Sequence, residues 1–381
     1  MNKSRIYLST SHQGGAENGY IQEALLQNSI STGGEQVNGF EEDLEQYLGQ
    51  GSFVAGLNSG TSAIHLGLVL LGVQAGDEVL CQSFTFSASA NPILYQGATP
   101  VFIDSEAETW NLCPNALEKA IKERIAKGKK PKAIIAVHLY GVPYHIEAIH
   151  RVANEYEIPV LEDAAEALGS SYKGQLCGTF GALGVLSFNG NKIITTSGGG
   201  AVISKSKEIK EKAVFYATQS RDLAAHYQHS EIGYNYRMSN ICAAIGRGQI
   251  QVLDRHVTLR RKMHEFYVSL FAEIPSVTVF TVPNEDFHSN YWLTTILVEP
   301  NPELGISAEG LRLVFEQENV ESRPLWKPMH LQPVFENYPY YGNAVSQSLF
   351  EKGLCLPSSS NLTVNEKERI ERVISSFFRV D

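Results

Sequence analysis

The sequence predicts an α/β fold, with a large domain on a mainly parallel sheet and a smaller α+β domain at its C-terminal side. Three observations lead to this prediction. Between about residues 53 and 205, short apolar runs alternate with amphipathic stretches, a pattern typical of βαβ units. Beyond about residue 250, long helical segments and separate strands follow, which indicates a second domain. The chain of 381 residues is also longer than most single domains.

Seven apolar runs in the first half of the chain have the length and composition of buried strands. They read FVAGLN, DEVLCQS, PVFID, AIIAVHLYG, PVLEDAA, GVLSF and GAVISK, starting at residues 53, 77, 100, 133, 159, 184 and 200. Helical patterns separate several of them: TSAIHLGLVLLGV, FSASANPILYQGA, LEKAIKERIAKG and HIEAIHRVANEYE. Because a helix between two strands returns the chain to the same end of a sheet, we expect most of these strands to be parallel.

The C-terminal part has a different order of elements. RRKMHEFYVSLFAEI, AEGLRLVFEQEN and KERIERVISSFF are helical patterns, whereas SVTVFTV and YWLTTILVEP are strand-like. We predict a large domain over residues 31–250 and a small domain over residues 251–381. Residues 1–30 are predicted to form an N-terminal arm that packs near the small domain.

Composition argues against several classes of function. A formal net charge of −10 disfavours a nucleic-acid partner, because the phosphate backbone demands a basic face. No segment reaches the roughly 18 apolar residues of a membrane helix, and the N-terminus lacks the apolar stretch of a signal peptide. Five scattered cysteines without a CxxC pair and eleven histidines without HExxH argue against a metal site and a disulfide framework. We therefore expect a cytoplasmic protein without a metal.

Four polar clusters follow predicted strands of the sheet. They are NSGTS (58–62), SFTF (83–86), EDAAE (162–166) and SFNGNK (187–192). In an open parallel sheet, ligands bind at the carboxyl ends of the strands. The clusters are distant in sequence, but this rule brings them to one edge, so a single composite site is expected there.

Two of these clusters also have a purely structural interpretation. NSGTS places Gly, Thr and Ser at a strand-to-helix turn, where free N–H groups and hydroxyls suit a phosphate, but the same residues could simply cap the helix. Asp163 ends a strand whose preceding residues are apolar, and a carboxylate buried there needs a cation or hydrogen-bond donors. It is either a site residue or one half of a structural ion pair.

Lys192 lies in SFNGNKIITTSGGGA, among Ser, Asn, Thr and Gly and with no acidic neighbour. A free lysine has a pKa near 10.4, so only about one amine in 2,500 is neutral at pH 7. A nucleophilic lysine therefore needs desolvation or covalent capture as an imine. A phosphate cup, an aromatic residue (Phe86), a carboxylate (Asp163) and this lysine together suit pyridoxal phosphate, with Lys192 forming the Schiff base.

Several longer motifs point to one family: LNSGTSAIHL, QSFTFSASANPILYQGATPVFID, HLYG, LEDAAEALGS, SFNGNKIITTSGGGA, IGYNYRMSNICAAIG and SRPLWKPMHLQPVF. With them the sequence resembles the DegT/DnrJ/EryC1/StrS family of pyridoxal phosphate-dependent nucleotide-sugar aminotransferases over nearly its whole length. Within the family it looks closest to the UDP-4-amino-sugar enzymes of bacillosamine-type pathways. The resemblance implies a type I aminotransferase fold, like that of aspartate aminotransferase, and a homodimer with shared active sites.

The resemblance also implies roles for individual residues. Lys192 would carry the cofactor, Asp163 would pair with its ring nitrogen and Phe86 would cover its ring. Further cofactor contacts would come from Gly60, Thr61, Ser62, Ser187 and Asn189, and from Asn235, which would reach the cofactor phosphate of the other subunit. The sugar nucleotide would be bound by residues of RPLWKPMH, a segment that could instead serve packing: Arg323, Trp326, Lys327 and His330. The N-terminal arm, residues 1–30, would border the same sugar site.

The implied reaction moves the amino group of L-glutamate to a nucleotide-linked keto-sugar in surface-glycan or exopolysaccharide synthesis, with pyridoxamine phosphate as the intermediate form. In the resembling enzymes, Glu at the position of Glu166 tends to accompany amination at C4 and Gln at C3. Glu166 therefore predicts a 4-keto-6-deoxy acceptor, a UDP-linked 2-acetamido sugar, although it could merely cap the following turn. The alternatives are amination at C3, a GDP- or dTDP-linked acceptor, sugar dehydration and a non-catalytic regulator.

Overall fold

The computed structural model describes residues 4–49 and 51–378. Its helices are, in chain order, α1 (Glu17–Leu26), α2 (Glu35–Leu48), α3 (Gly60–Leu70), α4 (Asn91–Tyr95), α5 (Pro114–Ala126), α6 (Ile146–Glu155), α7 (Lys207–Ala217), α8 (Asn240–Ile250), α9 (Leu253–Phe271), α10 (Ala308–Gln317), α11 (Val345–Lys352) and α12 (Val364–Phe378). Short 3₁₀ turns lie at Ser87–Ser89, Leu139–Gly141 and Met329–Leu331. Within these described residues, none of the helices combines the length and the apolar composition needed to cross a bilayer.

The strands are, in chain order, β1 (Phe53–Leu57), β2 (Glu78–Gln82), β3 (Thr99–Ile103), β4 (Ala133–Val137), β5 (Val160–Asp163), β6 (Ser171–Tyr172), β7 (Gln175–Leu176), β8 (Leu183–Ser187), β9 (Gly200–Ser204), β10 (Val277–Val279), β11 (Phe287–His288), β12 (Thr294–Val298), β13 (Arg323–Pro324), β14 (Tyr340–Tyr341) and β15 (Gly353–Leu356). The main sheet has the order β1-β9-β8-β5-β4-β2-β3-β14. β9 runs antiparallel to both of its neighbours, and the other pairs are parallel. The predicted mainly parallel sheet is confirmed, and each of the seven apolar runs overlaps one of its strands.

The parallel register brings the strand ends to one level. Val137 at the end of β4 lies opposite Asp163 at the end of β5, and Asp163 lies opposite Val185 of β8. Ser187 ends β8 two residues later. The polar residues that follow these strands therefore share one edge of the sheet, which is where an α/β fold of this kind binds its ligands.

The stretch FSASANPILYQGA is less regular than its amphipathic pattern suggests. It forms the 3₁₀ turn Ser87–Ser89 and then the five-residue helix α4. Pro92 has no N–H to donate and is tolerated in the first turn of a helix, where α4 places it. Gly97 ends the segment with a φ of +67°, a conformation that favours glycine.

Helices cover both faces of the main sheet. α3 and α7 pack on one face, where Leu66 and Ala213 are fully buried together with Leu161 of β5. α5 and α6 pack on the opposite face, where Ile121 and Ile149 are fully buried. The result is the helix–sheet–helix layering expected of a parallel α/β domain.

A second sheet has the order β10-β12-β15-β13, with antiparallel neighbours, and shares a core with α9, α10 and α12. These elements confirm the helical and strand-like patterns beyond residue 250. Two short strands from the same part of the chain join other sheets, since β14 pairs with β3, and β11 with β6, which also pairs with β7. The domain boundaries at residues 30 and 250 stay predictions. Residues 1–3 and 379–381 of the predicted arm and small domain lie outside the described residues.

The N-terminal residues connect the second sheet region to the edge of the main sheet. Ile6 forms a parallel bridge with Val320, next to β13. Three residues later, Ser9 Oγ donates a hydrogen bond to the carbonyl of Asn191 at 2.7 Å. This segment therefore reaches the turn that carries Lys192.

A buried ion pair fastens α5 to the main sheet. The guanidinium of Arg124 donates to the carboxylate of Glu78 in β2, through Nε at 2.6 Å and also through Nη2. Glu78 is 2% exposed and Arg124 is 9% exposed. Removing one partner of such a pair leaves the other charge uncompensated in the protein interior.

We expect Glu78→Gln to lower the free energy of unfolding by about 3 kcal/mol, because Arg124 then loses its compensating carboxylate. Urea unfolding followed by circular dichroism measures the change. The matched control is Glu118→Gln, which removes the half-buried partner of the exposed Lys122 within α5 and should leave the unfolding midpoint nearly unchanged. A midpoint equal to that of the wild type in Glu78→Gln would contradict this account of the pair.

Candidate active site

A cavity of about 300 Å³ opens at the carboxyl ends of the central strands, a volume at the lower end of those typical for small-molecule sites. Its walls come from the segments that follow β1, β2, β5 and β8, from the residues before β9, and from Trp292 and Trp326. Residues of all four polar clusters line it: Ser59, Gly60, Thr61, Thr85, Phe86, Asp163, Glu166, Ser187, Asn189 and Lys192. The structure thus joins clusters that the sequence spreads over residues 58–192.

One end of the cavity is the N-terminus of α3. Ser59 caps this helix by accepting a hydrogen bond from the N–H of Ser62 at 3.0 Å, and Ser62 Oγ donates to Asn58 Oδ1 at 2.7 Å. The capping interpretation therefore holds for Ser59 and Ser62, and Ser62 does not line the cavity. The N–H groups of Gly60 and Thr61 have no acceptor among the described residues, and the positive end of the helix dipole lies there. This end of the cavity suits an anion.

Glycines allow the strands to approach this helix start closely. A Cβ atom on Gly60 would lie 2.8 Å from Cβ of Ser187, and one on Gly200 would lie 2.4 Å from the carbonyl carbon of Ser59. Both distances are shorter than real Cβ contacts allow. The glycine run of SFNGNKIITTSGGGA therefore serves the close packing of β9 against the turn between β1 and α3.

Asp163 is fixed at the end of β5 by two hydrogen bonds. Its Oδ2 accepts from Ser89 Oγ at 2.6 Å, and its Oδ1 accepts from the N–H of Ala165 at 3.1 Å. Thr85 Oγ1 in turn lies 2.7 Å from Ser89 Oγ. None of the ion pairs formed by the described residues includes Asp163. Its carboxylate is held by donors and turned toward the cavity, so the alternative of a structural ion pair is not what the fold uses.

Lys192 projects into the cavity from the turn after β8. Its Nζ lies 4.0 Å from the centre of the Trp292 ring and 3.7 Å from Glu166 Oε1. Burial lowers the pKa of Lys192, although the charges of Glu166 and Asp163 oppose this change. A lowered pKa increases the fraction of neutral amine, which is the condition that a nucleophilic lysine needs.

Glu166 is the acidic neighbour that the local sequence around Lys192 lacks. Its Oε2 accepts a hydrogen bond from the N–H of Tyr140 at 2.7 Å. Tyr140 adopts a φ of +53°, which is uncommon for a residue with a side chain. Burial raises the pKa of Glu166, and the nearby Lys192 charge opposes the shift. The carboxylate thus binds a distant loop and the lysine, and no bond to the turn that follows it is found among the described residues.

Aromatic side chains form the wall near the cavity mouth. Phe86 is 51% exposed, and its ring centre lies 5.2 Å from that of Trp326. The backbone N–H of Trp326 donates to the hydroxyl of Tyr140 at 2.9 Å, which connects this wall to the loop that binds Glu166. A flat aromatic ligand could stack here.

Several residues predicted for the site lie outside the cavity lining. Asn235 is exposed, and its carbonyl accepts a hydrogen bond from Asn58 Nδ2 at 3.2 Å. Arg323 is exposed and pairs with Glu321. Lys327 and His330 are also absent from the lining, and His330 hydrogen-bonds Ser83 Oγ and stacks on the Tyr340 ring. Of the four residues predicted for the sugar nucleotide, only Trp326 lines the cavity, and the roles of the other three stay predictions.

The structure also adds residues that the sequence analysis missed. Ser89 and Thr85 hold Asp163, and both belong to the quoted motif SFTFSAS, so their hydroxyls were a usable signal. Trp292 covers the Lys192 amine but stands in a run that has the pattern of a core strand. Tyr140 is reached through HLYG, whose strained backbone has no signature in the sequence.

The arrangement fits pyridoxal phosphate on its donor set. Unpartnered N–H groups at a helix N-terminus suit the phosphate, Phe86 suits the ring, and Asp163 suits a protonated ring nitrogen. Lys192, with its lowered pKa, suits a covalent link to the aldehyde. The four features lie around one cavity.

Comparison with known proteins identifies relatives along the whole chain. EpsN of Bacillus subtilis (strain 168), to which pyridoxal phosphate-dependent aminotransferase activity is ascribed, is 48% identical over 98% of this chain and 96% of its own. A GDP-perosamine synthase of Escherichia coli O157:H7 is 35% identical over 96% of each chain. A UDP-4-amino-4,6-dideoxy-N-acetyl-beta-L-altrosamine transaminase of Campylobacter jejuni is 34% identical over 72% of this chain and 68% of its own.

Solved structures and a family model agree with these relatives. A DegT DnrJ EryC1 StrS aminotransferase from Brucella abortus matches with a TM-score of 0.87 and 28% identity, covering 95% of each chain, which confirms the predicted aminotransferase fold. The model of the DegT/DnrJ/EryC1/StrS aminotransferase family matches residues 12–378. Because this match spans nearly the whole chain, the protein belongs to the DegT/DnrJ/EryC1/StrS family and is a pyridoxal phosphate-dependent aminotransferase.

Proposed function

We propose that this aminotransferase moves the amino group of L-glutamate to C4 of a UDP-linked 2-acetamido-4-keto-6-deoxy sugar, for surface-glycan or exopolysaccharide synthesis. The observation that carries the proposal is the position of Glu166, which lines the cavity 3.7 Å from the amine of Lys192. The Campylobacter jejuni relative, whose name specifies a UDP-linked 4-amino sugar, supports both the carbon and the nucleotide.

A GDP-linked acceptor is the second candidate. The GDP-perosamine synthase of Escherichia coli matches 96% of this chain, against 72% for the Campylobacter jejuni transaminase. Glu166 bears on the carbon that is aminated and not on the base of the nucleotide. The nucleotide is therefore decided by experiment.

Lys192 has two tasks in the proposed reaction. When bound, pyridoxal phosphate supplies an electron sink beside the carbon that bears the amine. Lys192 Nζ removes the proton from that carbon and later returns one, acting first as a base and then as an acid. Burial lowers the pKa of Lys192, which favours the neutral amine that the first task needs. Asp163, fixed by Ser89 and the N–H of Ala165, would keep the ring nitrogen charged.

Glu166 orients the sugar through its hydrogen bonds. An ionised carboxylate only accepts hydrogen bonds, whereas the amide of Gln both donates and accepts. The Oε2 atom of Glu166 is engaged by the N–H of Tyr140, which leaves Oε1 for Lys192 and a sugar donor. A hydroxyl or amide N–H of the sugar that donates to Oε1 would present C4 to the amine.

We also propose a homodimer with shared active sites. Between residues 219 and 235, Leu223, Tyr227 and Ile232 expose large apolar side chains, and Asn235 is exposed as well. Exposed apolar side chains grouped in one loop are typical of an interaction surface. The carbonyl of Asn235 accepts a hydrogen bond from Asn58, which precedes the N-terminus of α3. Asn235 would contact the cofactor phosphate of the second subunit.

Two of the alternatives from the sequence lose their support. The dehydrases of this family replace the Schiff-base lysine, whereas Lys192 is present and lines the cavity. A non-catalytic regulator would not need Lys192, Asp163 and the N-terminus of α3 around one cavity. The family of the chain is also one of aminotransferases. The cytoplasmic location stays a prediction, which the five free cysteines support.

We expect the wild-type protein to aminate 4-keto-6-deoxy sugars when a panel of UDP-, GDP- and dTDP-linked 4-keto and 3-keto sugars is offered with L-glutamate. Glu166→Gln should slow the reaction of the 4-keto acceptor about 10- to 100-fold, since a hydrogen bond to a charged group is lost. NMR of the products identifies the aminated carbon. The control is the exposed Glu147→Gln. An amine on C3, with no turnover of 4-keto sugars, would end the proposal.

The same variant should also change the pH profile. Because burial raises the pKa of Glu166, its carboxylate takes up a proton at a higher pH than an ordinary glutamate does. The protonated form can donate, so the rate with the 4-keto acceptor should fall as the pH drops through this raised pKa and recover above it. Gln cannot titrate, so this acid limb should be missing from the profile of Glu166→Gln.

We expect Lys192→Ala to lose both turnover and the visible absorbance of the lysine-bound cofactor, because one amine serves as anchor and as base. Absorption spectra and an assay of amine transfer measure the two losses. Borohydride reduction of the wild type, followed by peptide mass analysis, should find the modified lysine at position 192. Lys207→Ala, an exposed change in α7, is the control. A modified lysine at another position would refute the assignment.

We expect Asn235→Ala to weaken cofactor retention if the active site is shared between two subunits. Dialysis followed by absorbance measures the retention, and analytical ultracentrifugation gives the oligomeric state. Asn154→Ala, an exposed change in α6, should retain the cofactor as the wild type does. A fully active monomer would rule out the shared site.

A further inference from the structure

Arg260 of α9 is a buried cation without a carboxylate partner. It is 1% exposed, and none of the ion pairs formed by the described residues includes it. Buried charges in proteins are normally paired, because burial without compensation is costly. Hydrogen bonds, and not a carboxylate, therefore compensate the charge of Arg260.

Arg260 closes a ring of hydrogen bonds beneath the catalytic lysine. Its Nη1 donates to the carbonyl of Trp292 at 2.5 Å, and its Nη2 donates to Ser9 Oγ at 2.9 Å. Ser9 Oγ and Trp292 Nε1 each donate to the carbonyl of Asn191 at 2.7 Å. Asn191 directly precedes Lys192, so the ring fixes the peptide from which the lysine side chain starts.

The same ring leads to Glu166. The backbone N–H of Trp292 donates to Asn290 Oδ1 at 2.8 Å, and Asn290 Nδ2 donates to the backbone carbonyl of Glu166 at 3.0 Å. The Trp292 ring itself lies 4.0 Å from the amine of Lys192. The loop that precedes β12, residues 290–293, thus binds the backbone of Glu166 and covers the amine of Lys192. Arg260 binds the same loop through the carbonyl of Trp292.

We propose that Arg260 is a positioning residue for Lys192. Through Trp292 and Ser9 it holds the turn at Asn191, so that the amine stays in the cavity beside Glu166. This inference rests on the aminotransferase assignment and on the role of Lys192, and not on the identity of the sugar acceptor.

The charge of Arg260 also favours a reactive Lys192, in addition to the hydrogen bonds that hold the turn at Asn191. It lowers the pKa of Lys192, where burial is the larger cause, and burial lowers the pKa of Arg260 itself to about 9, so the guanidinium is still charged at pH 7. The titratable and charged groups coupled to these two are Glu166 and Asp163 at Lys192, and His12 and His256 at Arg260. Burial lowers the pKa of both histidines, so they add no positive charge at pH 7, and the two carboxylates oppose Arg260 at the lysine.

The test compares Arg260→Met and Arg260→Lys with Arg255→Met, the same chemical change at an exposed position of α9. In the loaded enzyme, stopped-flow absorbance measures the rate at which L-glutamate removes the visible band of the lysine-bound cofactor. In the cofactor-free protein, labelling with an amine-reactive reagent and peptide mass analysis give the pH midpoint of Lys192. Arg260→Met should slow the loss of the visible band about tenfold or more and raise the pH midpoint of Lys192 by about half a pH unit. Arg260→Lys should recover part of both, and Arg255→Met should match the wild type.

A folded Arg260→Met with the wild-type rate and midpoint would overturn the proposal, because a merely structural role predicts lower stability alone. If Arg260→Met does not fold, Ser9→Ala decides, since it removes one donor to Asn191 and one acceptor of Arg260. It should slow the same step, and wild-type behaviour in this variant would also overturn the proposal. Neither measurement uses a sugar acceptor, so an error in the proposed acceptor leaves this result intact. A wrong donor would show as a wild type that does not respond to L-glutamate.

Discussion

The burial of one amine and two carboxylates at the edge of a parallel sheet is the constraint on which the rest of the site depends. At about 4 Å and an effective dielectric near 20, an ion pair gains roughly 4 kcal/mol, and the desolvation of its two ions costs at least as much. Each charge therefore needs further hydrogen bonds. Asp163 receives them from Ser89 and Ala165, and Glu166 receives one from Tyr140. The loops around the cavity exist to supply these donors.

Strand geometry explains how one sequence cluster serves two purposes. In EDAAE, Glu162 and Asp163 are neighbours on β5, so their side chains point to opposite faces of the sheet. Asp163 faces the cavity, whereas Glu162 binds His138 Nε2 at 2.8 Å and the N–H groups of the loop before β8. Burial opposes ionisation of Glu162, but these hydrogen bonds prevail and lower its pKa. Of the two adjacent acids, one is structural and the other belongs to the site.

The sequence could predict the parts of the site that follow from strand order, because parallel strands bring their carboxyl ends to one edge. That rule is enough to place Asp163, Lys192 and the turn at Gly60. It could not predict contacts made across loops. The run YWLTTILVEP looks like one strand, but β12 begins only at Thr294, and Tyr291 has a φ of +45°. The bond from the Trp292 indole to Asn191 spans 101 residues and leaves no local pattern.

The lysine also shows why a buried cation can be worth its cost in stability. Lys192 has the carboxylates of Glu166 and Asp163 nearby, and these raise its pKa and so reduce the fraction of neutral amine. Burial lowers the pKa of Lys192 again, and the positive charge of Arg260 lowers it further. An unpaired buried guanidinium destabilises the fold, and active sites are where proteins tolerate such losses. The position of Arg260 beneath the Lys192 turn is consistent with a site that gives up stability to keep its amine placed and partly neutral.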